Sequence, residues 1–223
     1  MSYAMPDETA AFGCTTGGDT MSAPLGDVTS GRLELTHGAH DIRLRVERDM
    51  PDLYRVRYEG TTPEVAVEGG VVTMRFLPGW DALSRFFRHG AARALVTLNG
   101  VVPWTIDLRG GASLIDADLR DLELRGLQVQ GGASKVEIRL GTPHGVCQVR
   151  FAGGAVAFGL HRPAGVAARL RVTGGMSELA FDHRLTWAGS LNAESSGFAG
   201  AADYYDIDIV GGASKVTIDT AAA

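Results

Sequence analysis

Five residues with charged or titratable side chains occupy the same position in a sequence unit that recurs along the chain. They are Asp118, Arg139, His161, Asp182 and Asp219. If successive units lie side by side, Asp118 comes close to Arg139, and His161 comes close to Asp182. A carboxylate that orients a histidine can make it a general base, so His161 and Asp182 are the candidate catalytic residues. The alternative, which we favour, is an exposed row of surface ion pairs worth about 0 to 1 kcal/mol each.

A second set of charged residues is cationic. Arg150, Arg169 and Arg171 alternate with apolar residues, and Asp206 and Asp208 follow later in the chain. Guanidinium groups in a cluster can hold a carboxylate, a phosphate or an acidic glycan, which makes these arginines candidate ligand-binding residues. The same alternation of charge would also keep an exposed sheet face soluble, and we favour that simpler interpretation.

Aromatic residues outside the repeated units form the third candidate group. Trp80 and Phe87 belong to a segment whose apolar residues are spaced by three and four, which predicts a short helix near residues 80–90. Such a helix could contact a membrane surface or a partner, but more often it covers the domain. Trp187 lies in the segment 185–198, which is predicted to be a loop that could carry recognition.

No metal ion or cofactor is predicted. The residues His144, Cys147, His161 and His183 match no standard spacing of metal ligands, and Cys147 has the periodicity of a core residue. The chain has no G-x-S-x-G elbow, no P-loop and no dinucleotide-binding fingerprint.

Composition narrows the range of partners. The chain has 223 residues and a formal net charge of −5, which disfavours nucleic acid as a partner. The first residues have neither a basic nor an apolar region of a secretory signal. No stretch approaches the roughly 18 to 20 apolar residues that span a membrane, so we expect a cytoplasmic protein and no membrane partner.

The elements that position these side chains are repeated units. Residues 131–138 read GGASKVEI, residues 211–218 read GGASKVTI, and looser copies begin at Gly110, Gly153 and Gly174. The first glycines are separated by 21, 22, 21 and 37 residues. Apolar residues lie five and seven positions after the first glycine, and two and four positions before it. Each unit is therefore predicted to be two strands joined by a Gly-Gly corner.

A unit of this kind buries its apolar side only by stacking on similar units. We therefore predict an all-β fold, a β-solenoid with coils of about 21 residues, and the alternative is an antiparallel β-sandwich. The predicted domain covers residues 31–220, with insertions at 79–93 and 184–200, the second of them a loop. Residues 1–30 lack periodicity and are predicted to be a flexible tail.

The Gly-Gly-Ala-Ser-Lys-Val units, with the segment ADYYDIDIV at residues 202–210, resemble bacterial toast-rack, adhesin-like β-solenoid proteins, most closely actinobacterial ones. That resemblance concerns architecture and supplies no catalytic residues. We expect a non-enzymatic module for binding or assembly, whose ligand is a small molecule, a glycan or a protein. Exposed terminal coils would favour a homo-oligomer. The alternative is an enzyme that acts on a carbohydrate or another small molecule at a solenoid face or under the insertions.

Overall fold

The computed structural model describes residues 19–36, 39–76, 92–182 and 184–220. These residues form seventeen β-strands and no helix, so the all-β prediction is confirmed. The predicted helix near 80–90 lies outside the described residues. In chain order the strands are β1 (Asp19–Pro24), β2 (Gly31–Thr36), β3 (Asp41–Glu47), β4 (Asp52–Glu59), β5 (Glu64–Glu68), β6 (Val71–Arg75), β7 (Arg93–Asn99), β8 (Trp104–Arg109), β9 (Ala112–Leu119), β10 (Leu124–Gln130), β11 (Ala133–Leu140), β12 (Val146–Ala152), β13 (Ala155–Arg162), β14 (Ala167–Phe181), β15 (Arg184–Glu194), β16 (Tyr204–Val210) and β17 (Ala213–Thr220).

The Gly-Gly units form two stacks of parallel strands. Strands before the corners pair with one another, as β8, β10 and β12 do, and we call this stack the first sheet. Strands after the corners, including β9, β11 and β13, form the second sheet. The strand β14 passes through a corner without a break and belongs to both sheets. The strands in these stacks are parallel, which differs from the alternative prediction of an antiparallel β-sandwich.

The core lies between the two sheets. Side chains alternate between the interior and solvent along each strand, and the interior ones form one cluster that extends from Leu33 to Ile218. The rings of Phe151 in the first sheet and Phe158 in the second have centroids 5.1 Å apart. The two sheets therefore share one apolar interior, which accounts for the apolar positions on both sides of each corner.

The corners need glycine because backbones stack closely there. Gly211 has a φ of +131°, and a Cβ at this residue would lie 2.0 Å from the carbonyl oxygen of Gly153. Both the backbone conformation and the contact exclude a side chain. This is the physical reason for the repeated Gly-Gly pairs in the sequence.

The spatial order of the units differs from their order in the chain. Val136 pairs with Phe158 as predicted, but Phe158 then pairs with Val216, and Val216 pairs with Leu179. The last unit therefore lies between the third and the fourth, and the prediction that Phe158 and Leu179 are neighbours is wrong. The order changes because β15 turns back antiparallel along β14, after which the chain re-enters the stack.

The N-terminal end has a similar departure from chain order. β2 and β3 pair with β8 and β9, whereas β6 and β7, which come later in the chain, lie outside them. Antiparallel strands then cover this end: β5 pairs with β6, β4 pairs with β7, and β1 pairs with β4. The terminal units are thus covered, contrary to the expectation of exposed terminal coils.

Two predicted boundaries need correction. Residues 19–24, assigned to the flexible tail, form strand β1 against β4. Residues 184–194, assigned to a loop, form strand β15, which lies along β14. The sequence of each segment has weak strand periodicity. In both cases the segment forms a strand because its backbone pairs with a strand at the end of a stack.

Candidate functional site

His161 lies on the outer face of the second sheet and is held by two carboxylates. Its Nε2 is 2.5 Å from Oε1 of Glu137, and its Nδ1 is 2.5 Å from Oδ1 of Asp219. A carboxylate at each ring nitrogen favours the imidazolium form of His161, which can donate from both nitrogens. The bond to Glu137 is the main reason why the pKa of His161 is raised, and it also lowers the pKa of Glu137.

A glycine provides the space for this arrangement. Gly159 lies beside Glu137 in the neighbouring strand, and a Cβ at Gly159 would lie 2.9 Å from a carboxylate oxygen of Glu137. Since no side chain stands there, the carboxylate of Glu137 lies over Gly159 and reaches the ring of His161. The ion cluster Glu137–His161–Asp219 therefore fills the opening that Gly159 leaves.

The predicted pair of His161 and Asp182 is not formed. Asp182 accepts a hydrogen bond from Nη2 of Arg162 at 2.5 Å, and Arg162 is almost completely buried. The strand that carries Asp219 lies between the strands of His161 and Asp182, so Asp219 takes the position predicted for Asp182. Both ring nitrogens of His161 are already bonded, which leaves neither free to accept a proton from a substrate.

Asp118 and Arg139 lie opposite each other on β9 and β11, as predicted, although the hydrogen bonds of each go to other residues. Arg139 donates to Oδ1 of Asp116 at 3.0 Å, and Arg45 donates to Oδ2 of the same carboxylate at 2.8 Å. Asp118 instead accepts from Arg120 at 2.6 Å, a bond that lowers the pKa of Asp118. The carboxylates of Asp116 and Asp118 on this outer face are therefore each paired with arginine.

On the first sheet, the predicted cationic cluster is partly neutralised. Arg169 donates to both oxygens of Asp206 at 3.1 and 2.9 Å, and Arg171 donates to Oδ2 at 3.2 Å. The guanidinium of Arg169 holds the pKa of Asp206 below its usual range, and it also lies over the rings of Phe198 and Tyr204. Strand order explains the cluster, because β16 places Asp206 beside β14.

The remaining candidates from the sequence are Arg150, Trp80, Phe87 and Trp187. Arg150 lies on β12, apart from Arg169 and Arg171, and its nearest carboxylate oxygen belongs to Asp208 at 3.9 Å. Trp80 and Phe87 are outside the described residues. Trp187 belongs to β15, but its side chain is outside what the structure describes. Among the described candidates, Arg150 is therefore separate from the pair of Arg169 and Arg171.

Arg150 does line a groove that the sequence candidates did not anticipate. This groove, of about 440 Å³, opens on the outer face of the first sheet across β2, β8, β10 and β12. Its polar lining consists of Arg32, Thr105, Asp107, Arg125, Gln128, Gln148 and Arg150. We call it the Gly126 groove, because Gly126 lies on its floor between Thr105 and Gln148 of the adjacent strands.

A buried carboxylate lies in the lining of the Gly126 groove. Asp107 is 3% exposed, and its Oδ2 accepts two hydrogen bonds from Arg109, at 2.5 and 2.9 Å. Its Oδ1 is buried and has no hydrogen-bond partner among the described residues. A buried carboxylate oxygen without a donor is unfavourable, so a ligand group that donates a hydrogen bond would stabilise Asp107.

The arginines of the groove are exposed, and two of them pair with carboxylates that are close in sequence. Arg32 is 2.8 Å from Glu34, and Arg125 is 2.7 Å from Glu123, each two residues away in its own strand or beside it. Roughly half of each arginine side chain is accessible to solvent, as is that of Arg150. Exposed ion pairs of this kind contribute about 0 to 1 kcal/mol, so a ligand can compete for the guanidinium groups.

The part of the chain that the structure describes contains neither a cluster of metal-ligating side chains nor a helix that could span a membrane. No group of three or more His, Cys, Asp or Glu residues is placed to hold a metal ion there. Within the same ranges, no helix has the length and apolar character needed to span a membrane.

Comparison with known proteins confirms the predicted family resemblance. Residues 85–160 match the family model described as the N-terminal domain of toast_rack, DUF2154. No curated protein sequence matches the chain. The matched residues are about a third of the chain, so the match shows a resemblance to this family over that segment.

One similar structure is the "putative cell adhesion protein" from Clostridium sporogenes ATCC 15579. It is 17% identical, covers 92% of this chain and 99% of that chain, and gives a TM-score of 0.70, which shows a shared fold. A "putative adhesin" from Parabacteroides merdae ATCC 43184 is 8% identical over 93% of this chain and 97% of that chain. Its TM-score of 0.23 supports no argument about fold or function.

Proposed function

We propose that this chain is a non-enzymatic binding module of the β-solenoid type, which presents the outer face of its first sheet to a ligand. The observation that carries this proposal is the Gly126 groove, a polar opening of about 440 Å³ in an otherwise continuous row of side chains. Its lining residues stand on four neighbouring strands of one stack. A site on rigid strands is held in place before a ligand arrives, which lowers the entropic cost of binding.

The comparisons support a binding role at a coarse level. The Clostridium sporogenes structure shares the fold and is described by its name as a cell adhesion protein. Adhesion needs an exposed surface that recognises another molecule, and the Gly126 groove supplies such a surface here. The ligand itself follows from neither the family nor the fold.

An enzyme that acts on a carbohydrate or another small molecule is the alternative hypothesis. Catalysis of that kind needs a titratable group that can exchange a proton with the substrate. The sequence candidate for this role, His161, already has a carboxylate oxygen at hydrogen-bond distance from each ring nitrogen. This occupancy favours the binding hypothesis over the enzymatic one.

An assay with immobilised polysaccharides separates the two hypotheses. The purified protein is applied to a neutral glucan, an amino-sugar polymer and a uronate polymer, and both retained protein and soluble oligosaccharides are measured. The binding proposal predicts saturable retention on at least one polymer, without release of new reducing ends. Release of shortened oligosaccharides would favour the enzyme, and no retention on any polymer would contradict a glycan-binding module.

Assembly through the ends of the stack is the second part of the proposed function. The terminal units are covered by antiparallel strands, so any association would use the outer edges of β1, β5 or β15. β5 has glutamates at both ends, and charges on an edge strand disfavour pairing with another copy. Sedimentation velocity over a hundredfold range of concentration tests this proposal, since a monomer throughout would contradict it.

A further inference from the structure

The glycine on the floor of the Gly126 groove is not required by the fold. Its φ lies outside the left-handed region, unlike those of the corner glycines. A Cβ built at Gly126 would have its nearest neighbours at 3.7 and 4.0 Å, which are ordinary contact distances. Most residues would therefore fit this position, and most would favour a strand more than glycine does. What the glycine provides is the opening itself.

The lining of the groove combines donors with acceptors. Arg32, Arg125 and Arg150 present only N–H donors, whereas Gln128 and Gln148 each present a donor and an acceptor. Asp107 adds an acceptor whose Oδ1 has no partner among the described residues. A ligand that matches this set must carry both acceptor oxygens and hydrogen-bond donors.

The charge of the lining favours an anion. Three guanidinium groups share the lining with one carboxylate, Asp107, which is already bonded to Arg109. The carboxylates that pair with the three arginines, those of Glu34, Glu123 and Asp208, lie outside the lining, so an anion in the groove would compete with exposed ion pairs. Arginine binds carboxylates through two parallel hydrogen bonds, which gives a planar anion a geometric advantage.

A phosphate group would satisfy the arginines alone. The oxygens of phosphate are mainly acceptors, and inorganic phosphate at neutral pH has too few P–OH donors for Oδ1 of Asp107 and the carbonyl oxygens of Gln128 and Gln148 together. A sugar ring with a carboxylate supplies both parts, because its hydroxyl groups donate to these oxygens while its carboxylate accepts from arginine. Strands about 4.8 Å apart also place these groups at regular intervals across the groove.

We infer that the Gly126 groove binds a carboxylate-bearing saccharide, with arginines holding the carboxylate and Asp107, Gln128 and Gln148 accepting from ring hydroxyls. This inference rests on the proposed binding function and names its ligand class. The groove recognises a uronate-type sugar by charge and hydroxyl pattern together, so neither a neutral sugar nor inorganic phosphate reproduces the full set of contacts.

Isothermal titration calorimetry of the full chain tests the inference with three probes. They are tri-galacturonate, its methyl ester and inorganic phosphate. We expect the ester to bind about 10- to 100-fold more weakly than the acid, since it loses charge-assisted hydrogen bonds. Equal affinity for acid and ester, tighter binding of phosphate, or no binding of tri-galacturonate would each overturn the inference.

Two pairs of variants place the binding on the groove. Gly126→Val fills the floor, and Gly189→Val is its control, because Gly189 is exposed on β15 and a Cβ there would have nothing within 4 Å. Arg150→Gln removes a groove arginine, and Arg171→Gln is the control on the same face. Gly126→Val should abolish binding without lowering the melting temperature, and Arg150→Gln should weaken binding about tenfold. Both controls should bind like the unaltered protein.

The outcomes separate this inference from the broader proposal. If Gly126→Val binds tri-galacturonate as the unaltered protein does, the groove is not the site, although the chain is still a binding module. If tri-galacturonate is cleaved during the titration, and Gly126→Val prevents the cleavage, the groove assignment stands and the non-enzymatic function fails. Mass spectrometry of the titrated solution distinguishes these cases.

Discussion

Gly159 on the second sheet and Gly126 on the first each lie within an outward-facing row of a stack, and the two glycines have opposite consequences. On the second sheet, the space over Gly159 is filled by the carboxylate of Glu137, which reaches His161 and completes an ion cluster. On the first sheet, the nearest atoms to a Cβ at Gly126 are at ordinary contact distance, and a groove remains open. The residues next to a glycine therefore decide whether the space above it is filled by an ion cluster or stays open as a groove.

The largest expected effect comes from breaking the stack that both faces share. Gly211→Ala places a Cβ 2.0 Å from the carbonyl oxygen of Gly153, in a backbone conformation that disfavours alanine. We expect a loss of at least about 3 kcal/mol in the free energy of unfolding, measured by urea denaturation. Gly189→Ala is the control, since Gly189 has open space around it. An unchanged midpoint for Gly211→Ala would contradict the close stacking of the corners.

The second-largest expected effect concerns the ion pairs of Asp206, which lie on the first sheet outside the Gly126 groove. Asp206→Asn removes the charge that holds Arg169 and Arg171, and we expect a loss of about 1 to 2 kcal/mol at neutral pH. The pKa of Asp206 is lowered in the folded protein, so its contribution is complete above the unfolded value of about 3.9. The stability difference between the two proteins should close as the pH falls through the lower folded pKa. A constant difference at acid pH would show that the charge of Asp206 is not responsible.

The ion cluster of the second sheet should show the opposite dependence on pH. The pKa of His161 is raised in the folded protein, so its contribution is complete below the unfolded value of about 6.5 and is lost as the pH rises through the folded pKa. We expect His161→Gln to cost about 1 kcal/mol at pH 5.5 and less at pH 9. Thermal unfolding of both proteins across this range provides the measurement. A difference that grows with pH would contradict the imidazolium assignment.

The smallest effect on stability compares the two glycines directly. Gly159→Val forces the carboxylate of Glu137 away from His161, whereas Gly126→Val displaces nothing. We expect the first variant to be about 0.5 to 1 kcal/mol less stable than the second, because both gain the same strand preference of valine.

The pKa of His161 provides a second way to compare the two glycine variants. NMR titration should show that the pKa of His161 falls towards its ordinary value in Gly159→Val, because its main hydrogen bond is lost. Gly126→Val, on the other sheet, should leave that pKa unchanged. A pKa that moves in both variants, or in neither, would show that the space over Gly159 does not control the cluster.

Much of the fold could be predicted from the sequence because it depends on local pattern. The alternation of apolar residues around each Gly-Gly pair specifies two strands and a corner, and the structure has both. The order of the units was beyond such reasoning, since Val216 fits between Phe158 and Leu179 as well as it would fit beyond Leu179. The wrong pairing of His161 with Asp182 followed directly from that order.

The candidate site could be predicted only in part. Arg150 is identifiable from its charge, but its separation from Arg169 and Arg171 depends on which strands are adjacent. The sequence does contain one further signal: Gly126 interrupts a row that has Thr105 and Gln148 at the equivalent positions of the neighbouring units. The unpaired oxygen of Asp107 has no counterpart in sequence, because it depends on how side chains pack on the finished sheet.

The most direct test of this account maps the ligand on both faces at once. Tri-galacturonate is titrated into ¹⁵N-labelled protein, and backbone amide shifts are followed by NMR. We expect saturable shifts at Thr105, Gly126 and Gln148, with none at Glu137, Gly159 or Asp219. Shifts centred on the ion cluster of the second sheet, or no saturable shift on either face, would contradict it.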